Sequence, residues 1–288
     1  MSARRQSPHR GTVLLLGPAL LLLLVVFVAP LGLMVPTSLH PYLPGQGIGT
    51  EWTFANYTRV FTDPFYLRII GRTLGLGLMV VLLTLLFGYP LAWFLARTQS
   101  RLRPWLILLV VFPLLLNLVV RSFGWIVLLA NRGLVNDTLR ALGLIEQPLK
   151  LLYNYAGLLI GLSHVFLPFM VLVLVGAIQN IPRDVEQAAS TLGASPFTVF
   201  RKVTLPLSLP GVLSGGILVF VLTISALVTP RLLGGPTYQV MSTIIFDEFL
   251  KLLNWPQGAA MAFVLTLIVL VLVWVTSLFA RRFAQVRG

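Results

Sequence analysis

Six stretches of this chain, about 12–35, 69–95, 105–128, 156–178, 211–230 and 259–280, hold at most one charged residue apiece. At 1.5 Å of rise per residue, a run of about twenty apolar residues crosses roughly 30 Å of hydrocarbon. Lipid offers no hydrogen-bond partners, so each such run must satisfy its own backbone as a helix. The chain is therefore expected to be an all-α polytopic membrane protein with six transmembrane helices. Composition supports this: 57% of side chains are hydrophobic and 10% charged, against about a quarter charged in soluble domains. No period of 20–50 residues recurs, which argues against a repeat architecture.

The first run follows Arg4, Arg5 and Arg10 and so resembles a signal peptide. It is too long for a typical apolar signal region, and Pro30, Pro36 and large residues stand where a small-x-small cleavage site belongs. It reads as a retained first helix. Orientation follows from the placement of Lys and Arg. Four segments carry Arg4, Arg5, Arg10, Arg97, Arg101, Arg103, Arg183, Arg201, Lys202, Arg281, Arg282 and Arg287 against only Asp184 and Glu186. On the other side Arg59, Arg68, Arg132, Arg140, Lys150, Arg231 and Lys251 are offset by Glu51, Asp63, Asp137, Glu146, Asp247 and Glu248. Both termini are expected in the cytoplasm.

The formal charge of +13 would suggest nucleic acid on a soluble chain. Here the basic residues sit between spans, and no nucleic-acid partner is expected. With no cysteine, disulfides, thiolate metal sites and cysteine nucleophiles are excluded together. No Gly-x-x-x-x-Gly-Lys-Ser/Thr, His-Glu-x-x-His or Gly-x-Ser-x-Gly is present, which argues against a nucleotide-binding or hydrolytic enzyme. The three histidines, His9, His40 and His164, lack metal-ligand spacing. A secondary transporter or channel subunit is the alternative transport class, but carriers of that kind use intramembrane carboxylates or related halves, and neither is evident.

Asn180 to Pro206 is unlike the other connections: Asn-Ile-Pro-Arg-Asp-Val-Glu-Gln-Ala-Ala-Ser-Thr-Leu-Gly, then Ala-Ser-Pro-Phe-Thr-Val-Phe-Arg-Lys-Val-Thr-Leu-Pro. Pro182, Asp184 and Glu186 suit the first turn of a helix. Gly193 suits the position just past its end, where φ is usually positive. Ser195 caps a second short helix with Pro196 at its first position, and Pro206 is expected to stop it. Ala188 and Ala189 leave a face with little side chain, open to close approach by another protein. An ordinary helical hairpin fits these signals equally well.

The run Glu186-x-Ala188-Ala189-x-x-x-Gly193, nine residues, then Val203-x-Leu205-Pro206 resembles the EAA motif of binding-protein-dependent ABC importer permeases. The resemblance covers about 66–280, the type I, MetI-like core, with helix one added outside it. It implies a division into a tail at 1–11, the first helix and a periplasmic loop at 12–65, the type-1 domain at 66–280 with its coupling loop at 180–206, and a tail at 281–288. Within the family the chain is most similar to the spermidine/putrescine branch, through Pro113, Arg121 with Trp125, and Val228-Thr-Pro-Arg-Leu-Leu-Gly-Gly235.

By that resemblance the chain is a transport subunit and not an enzyme, working by alternating access in a bacterial inner membrane. A cytoplasmic ABC ATPase dimer would bind ATP and Mg, leaving this chain no cofactor of its own. The resemblance implies a second permease, homologous but a different chain, and a periplasmic solute-binding protein to complete the system. Glu186, Ala188, Ala189, Gly193, Leu205 and Pro206 are the ATPase-coupling positions, with the acid meeting a basic or polar groove wall on the ATPase. The solute would be a polyamine or a related small nitrogenous compound. The branch often has an acid before Val-Thr-Pro, where this chain has Ala226-Leu227. Acidity for a polycation would then come from Asp247, Glu248 or the partner permease; an opine, amino acid derivative or aminophosphonate also stays open.

Further pathway candidates lie in the spans. Arg121, whose charge costs about 2.5–3.5 kcal/mol at a span centre, either lines the pathway, pairs with Asp247 or Glu248, or snorkels outward. Asn117 is expected one turn earlier on the same helix face. Thr223, Ser225 and Thr229 either line a polar path or bond back to their own helix. Pro168, four residues after His164, is expected to kink helix four. Trp52, Tyr57, Trp93 and Trp105 read as interface anchors.

Overall fold

The structure, a computed structural model, describes residues 8–285, with side chains described for 16–278. The basic tails with Arg4, Arg5, Arg10, Arg281, Arg282 and Arg287 lie outside those described side chains. Among the described residues six helical segments are long and apolar enough to span: Leu16–Ser38, Pro64–Arg97, Leu118–Ala141 (two successive helices), Tyr155–Gln179, Pro196–Ser225 and Trp255–Leu278. The protein is an all-α polytopic membrane protein. Contacts divide it into two compact units, one formed by residues up to Asp63 with Ile245–Val264, the other by Pro64–Ile244 and Leu265 onward.

In the first unit, helices α1 (Pro8–Leu23) and α2 (Ala29–Ser38) are joined by a π turn at Leu24–Val28. Pro30 explains the turn. It has no N–H for the carbonyl of Val26, and its ring would press on that carbonyl in a regular helix. Widening by one residue lets the Ala29 N–H reach the Leu24 carbonyl. The helix then presents Leu20 to Phe27 outward, each more than half exposed, a surface for lipid. A two-residue hairpin, β1 (Tyr42–Leu43) with β2 (Gly47–Ile48), and helix α3 (Ala55–Thr62) follow. Asn56 fastens them: its Nδ2 donates to the carbonyls of Ser38 at 2.9 Å and His40 at 2.8 Å.

The second unit is built on α4 (Pro64–Arg97), α5 (Arg103–Leu115), α6 (Leu118–Leu129), α7 (Leu134–Ala141) and α8 (Tyr155–Gln179). They are followed by α9 (Arg183–Thr191), α10 (Pro196–Val199) and α11 (Leu205–Ser225). Helices α12 (Met241–Leu250) and α13 (Trp255–Gln285) each begin in one unit and continue in the other. Helix α8 is apolar all round, as a buried helix must be, and Leu158, Leu162, Met170, Leu174 and Ile178 on it are fully buried. It packs against α4, α11 and α5. Between helices in lipid, close packing rather than water exclusion drives association, and small residues permit it. A β-carbon on Gly77 would lie 2.8 Å from the Phe220 ring, and one on Gly211 would overlap Ala177. These positions bring α11 against α4 and α8.

Three sequence expectations are corrected here. The third apolar run is broken at Leu116–Asn117 into α5 and α6, because Asn117 leaves the helical backbone (ψ 133°) and caps α6, its Oδ1 accepting from the Val119 N–H at 2.8 Å. Asn117 therefore does not share a helix face with Arg121. Pro206 does not stop the second loop helix. A π turn at Phe200–Thr204 absorbs it, with the Leu205 N–H reaching the Phe200 carbonyl, so a continuous helix runs from Pro196 to Ser225. The fifth helix thus begins fifteen residues before 211 and ends at Ser225 rather than 230, where Ala226 turns extended ahead of a third π turn at Pro230–Gly234.

Candidate functional site

Helix α9 has nine residues and no buried side chain, so propensity and packing alone would not hold it. Its ends are fastened instead. Pro182 precedes it, with Asp184 and Glu186 in the first turn, where the helix dipole favours negative charge. At the other end the Gly193 N–H donates to Ser190 O at 3.0 Å and the Ala194 N–H to Ala189 O at 3.1 Å. This bond pair is a Schellman cap. It places Gly193 at φ +85°, a region costly to residues with a β-carbon. The Ser195 Oγ then accepts from the Thr198 N–H at 3.3 Å with Pro196 next, opening the following helix.

The two long sides of α9 do different things. Val185, Ala188 and Leu192 fall at i, i+3 and i+7 on one side; Val185 is 43% and Leu192 89% exposed, and Ala188 is exposed with Ala189 half-buried beside it. Phe197, 69% exposed, continues this apolar outer surface beyond the glycine turn. This leaves one long side of α9 small and apolar while the helix has no buried side chain. Glu186 points the other way. Its Oε1 accepts from Arg97 Nη2 at 2.8 Å and from Thr204 Oγ1 at 2.7 Å.

Arg97, the last residue of α4, also donates to Ile181 O at 3.3–3.4 Å through its two terminal nitrogens. Arg183 returns the contact by donating to Arg97 O at 3.0 Å, capping a carbonyl that the end of α4 leaves open. The acid expected to meet a groove wall on another protein is thus engaged within the chain, because its basic partner is supplied by α4. A cleft of about 560 Å³ opens beside this junction, lined by Trp93, Arg97, Glu186, Gln187, Pro196 and Phe200 among others. Leu205 packs partly buried against the core, and Pro206 is partly buried. Both therefore support the helix from inside. Arg97 and Thr204 as partners of Glu186 were missed because nothing local in sequence links residues 89 and 18 positions apart.

Arg121 Nη1 donates to Pro113 O at 2.8 Å, across the break between α5 and α6. In the first unit Asp247 pairs with Lys251 at 3.1 Å, and Glu248 is buried. The Thr223 hydroxyl donates to Val219 O and the Ser225 hydroxyl to Val221 O, each at 2.7 Å. Both hydroxyls thus bond back to their own helix, and Thr229 is buried. A pairing that sequence left unseen joins Trp125 of α6, whose indole N–H donates to His164 Nδ1 of α8 at 3.2 Å. Helix α8 stays unbroken through Pro168. At the Tyr155 end of that helix, Arg72 stands 5.2 Å over the Tyr238 ring. Burial pushes the Tyr238 phenol up and Tyr155 adds to this, while Arg72 partly offsets it.

Comparison with known proteins draws these features together. Residues 85–285 match the family described as binding-protein-dependent transport system inner membrane component. The chain is 32% identical over 247 residues to the spermidine/putrescine transport system permease protein PotB of Escherichia coli, covering 86% of this chain and 89% of that one. PotB of Haemophilus influenzae is 34% identical over 223 residues, covering 77% and 78%. Among solved structures, a bacterial alginate ABC transporter in complex with alginate pentasaccharide-bound periplasmic protein aligns with a TM-score of 0.75 at 20% identity, covering 94% of each chain. With its six apolar helices, its Glu186-to-Pro206 loop and these likenesses, the chain belongs to the binding-protein-dependent transport system inner membrane components and is an ABC importer permease.

Proposed function

We propose that this permease forms half of a translocation pathway, paired with a second permease chain, and carries a polyamine or a related small nitrogenous compound into a bacterial cell. Helix α9 lies on the cytoplasmic side in this reading, with both termini, and docks its Val185–Ala188–Leu192 side on an ABC ATPase dimer that supplies ATP and Mg chemistry. A solute-binding protein delivers cargo at the opposite side. The observation that carries the reading is a well-capped nine-residue helix whose outer side is exposed, small and apolar, a form suited to a partner's groove and without use to an isolated chain. The family match at 85–285 supports a type-1 core over about 66–280 in this reading.

Substrate class rests on the likeness to the spermidine/putrescine permeases. All eight acidic residues lie outside the apolar cores of the spans, so a polycation meets carboxylates at the ends of the pathway or on the partner permease. The test is uptake by the complete transporter, with its binding protein, in proteoliposomes. Labelled putrescine and spermidine are expected to accumulate only with ATP inside and to be displaced by each other. ATP-dependent uptake of another solute with neither polyamine accumulating overturns the substrate class.

A further inference from the structure

The coupling helix is tied to the rest of the permease by one polar junction, and Arg97 is its centre. Arg97 and Glu186 pair at 2.8 Å with side chains only 14% and 18% exposed. Partial burial makes removal of one partner costlier than at the surface, because it leaves the other charge uncompensated where water is scarce. The same carboxylate oxygen takes the Thr204 hydroxyl, so α9 is held at once to the end of α4 and to the π turn that leads into α11. The reciprocal bonds from Arg97 to Ile181 O and from Arg183 to Arg97 O fix both ends of the contact. Little else holds α9, since none of its side chains is buried.

Both tethered helices run deep. Helix α4 has 34 residues, about 51 Å at 1.5 Å per residue, and carries buried side chains from Tyr66 to Ala96. Helix α11 packs against both α4 and α8. A displacement of α9 therefore reaches the opposite end of the unit through this carboxylate–guanidinium–hydroxyl junction, together with the backbone on either side of it and the packing of α9 on α10 and the π turn.

We infer that Arg97 is a positioning residue for energy coupling: its bond to Glu186 passes movement of the docked helix α9 to α4, while the docking surface itself lies on the other side of α9. The inference rests on the proposed docking of α9 on an ATPase. It separates binding of the ATPase from transmission, because Arg97 and Glu186 face inward and Val185, Ala188 and Leu192 face outward.

The experiment uses the whole transporter, as wild type, Arg97→Glu, and the charge exchange Arg97→Glu with Glu186→Arg. Three quantities are read on each preparation: ATPase subunit retained per permease, stimulation of ATP hydrolysis by loaded binding protein, and solute uptake per ATP hydrolysed. For Arg97→Glu the ATPase is expected to stay bound, while stimulation and uptake per ATP fall about tenfold or more, within the range of coupling between sites. The exchange is expected to recover most of that loss, which a general packing defect would not allow. Wild-type uptake per ATP in Arg97→Glu overturns the inference, as does failure of the exchange to restore it. Loss of the ATPase subunit from Arg97→Glu also overturns it, by making the junction a support for docking. Absence of the ATPase from the wild-type preparation instead overturns the docking reading beneath it.

Discussion

A polar side chain without a single charge can organise more backbone than an ion pair, and Asn136 does so. It is fully buried, its Nδ2 donates to Ala130 O and Leu149 O at 3.0 Å each, and its Oδ1 accepts from the Leu149 N–H at 2.8 Å. One amide closes the connection around α7. Removing it takes the partner from three part-buried backbone groups, and a group orphaned away from water costs up to about 1–3 kcal/mol. Asn136→Ala is expected to lower the thermal unfolding midpoint of the purified transporter clearly; Asn136→Asp, which keeps the acceptor for Leu149 but sets a buried carboxylate against two carbonyls, is expected to lower it as well. Equal midpoints for Asn136→Ala and wild type contradict this role. No pattern in sequence distinguishes Asn136 from a solvated loop asparagine, because its partners are backbone atoms. Gly193 was legible for the opposite reason: its role follows from its own φ and its place after a helix.

At the scale of elements, the apolar runs placed the helices because lipid leaves a twenty-residue run little alternative. Helices α4 and α8 lie within five residues of the ends expected from hydropathy. What the runs concealed were local adjustments. Pro30 and Pro206 each stand two residues beyond a π turn, and a widened turn keeps a helix going where a regular one would end. Hydropathy does not respond to that change in bond pattern. Asn117 was hidden similarly, since one polar residue in an apolar run looks like a face residue until its backbone is seen to leave the helix. As a cap it is worth about 1 kcal/mol. Asn117→Ala is expected to lower the thermal midpoint modestly, while Asn117→Asp and Asn117→Ser, which keep a capping oxygen, retain it. If all three fall alike, the side chain serves another contact.

For the whole molecule, the charge asymmetry predicts an orientation that a labelling experiment checks cleanly. The chain contains no cysteine, so single cysteines can be introduced without background. Cysteine at Thr191 or Gln187 is expected to react with an impermeant maleimide only in inside-out vesicles, and cysteine at Gln46 only in right-side-out ones. The reverse pattern contradicts the orientation. On the outer side of α9 Ala188 was readable as part of a motif, whereas the exposure of Val185 and Leu192 beside it and the separation of that side from Glu186 became visible only once the helix was placed against Arg97.

The central claim is that this exposed side of α9 holds the ATPase, and co-purification tests it most directly. Leu192→Glu and Ala188→Arg each put a charge and bulk on the docking side while leaving Arg97, Glu186 and Thr204 in place. Both variants are expected to insert and purify like wild type and to lose about tenfold or more of the bound ATPase subunit, the effect of an unpaired charge at a packed interface. Retention of the ATPase at the wild-type level by both variants contradicts the claim.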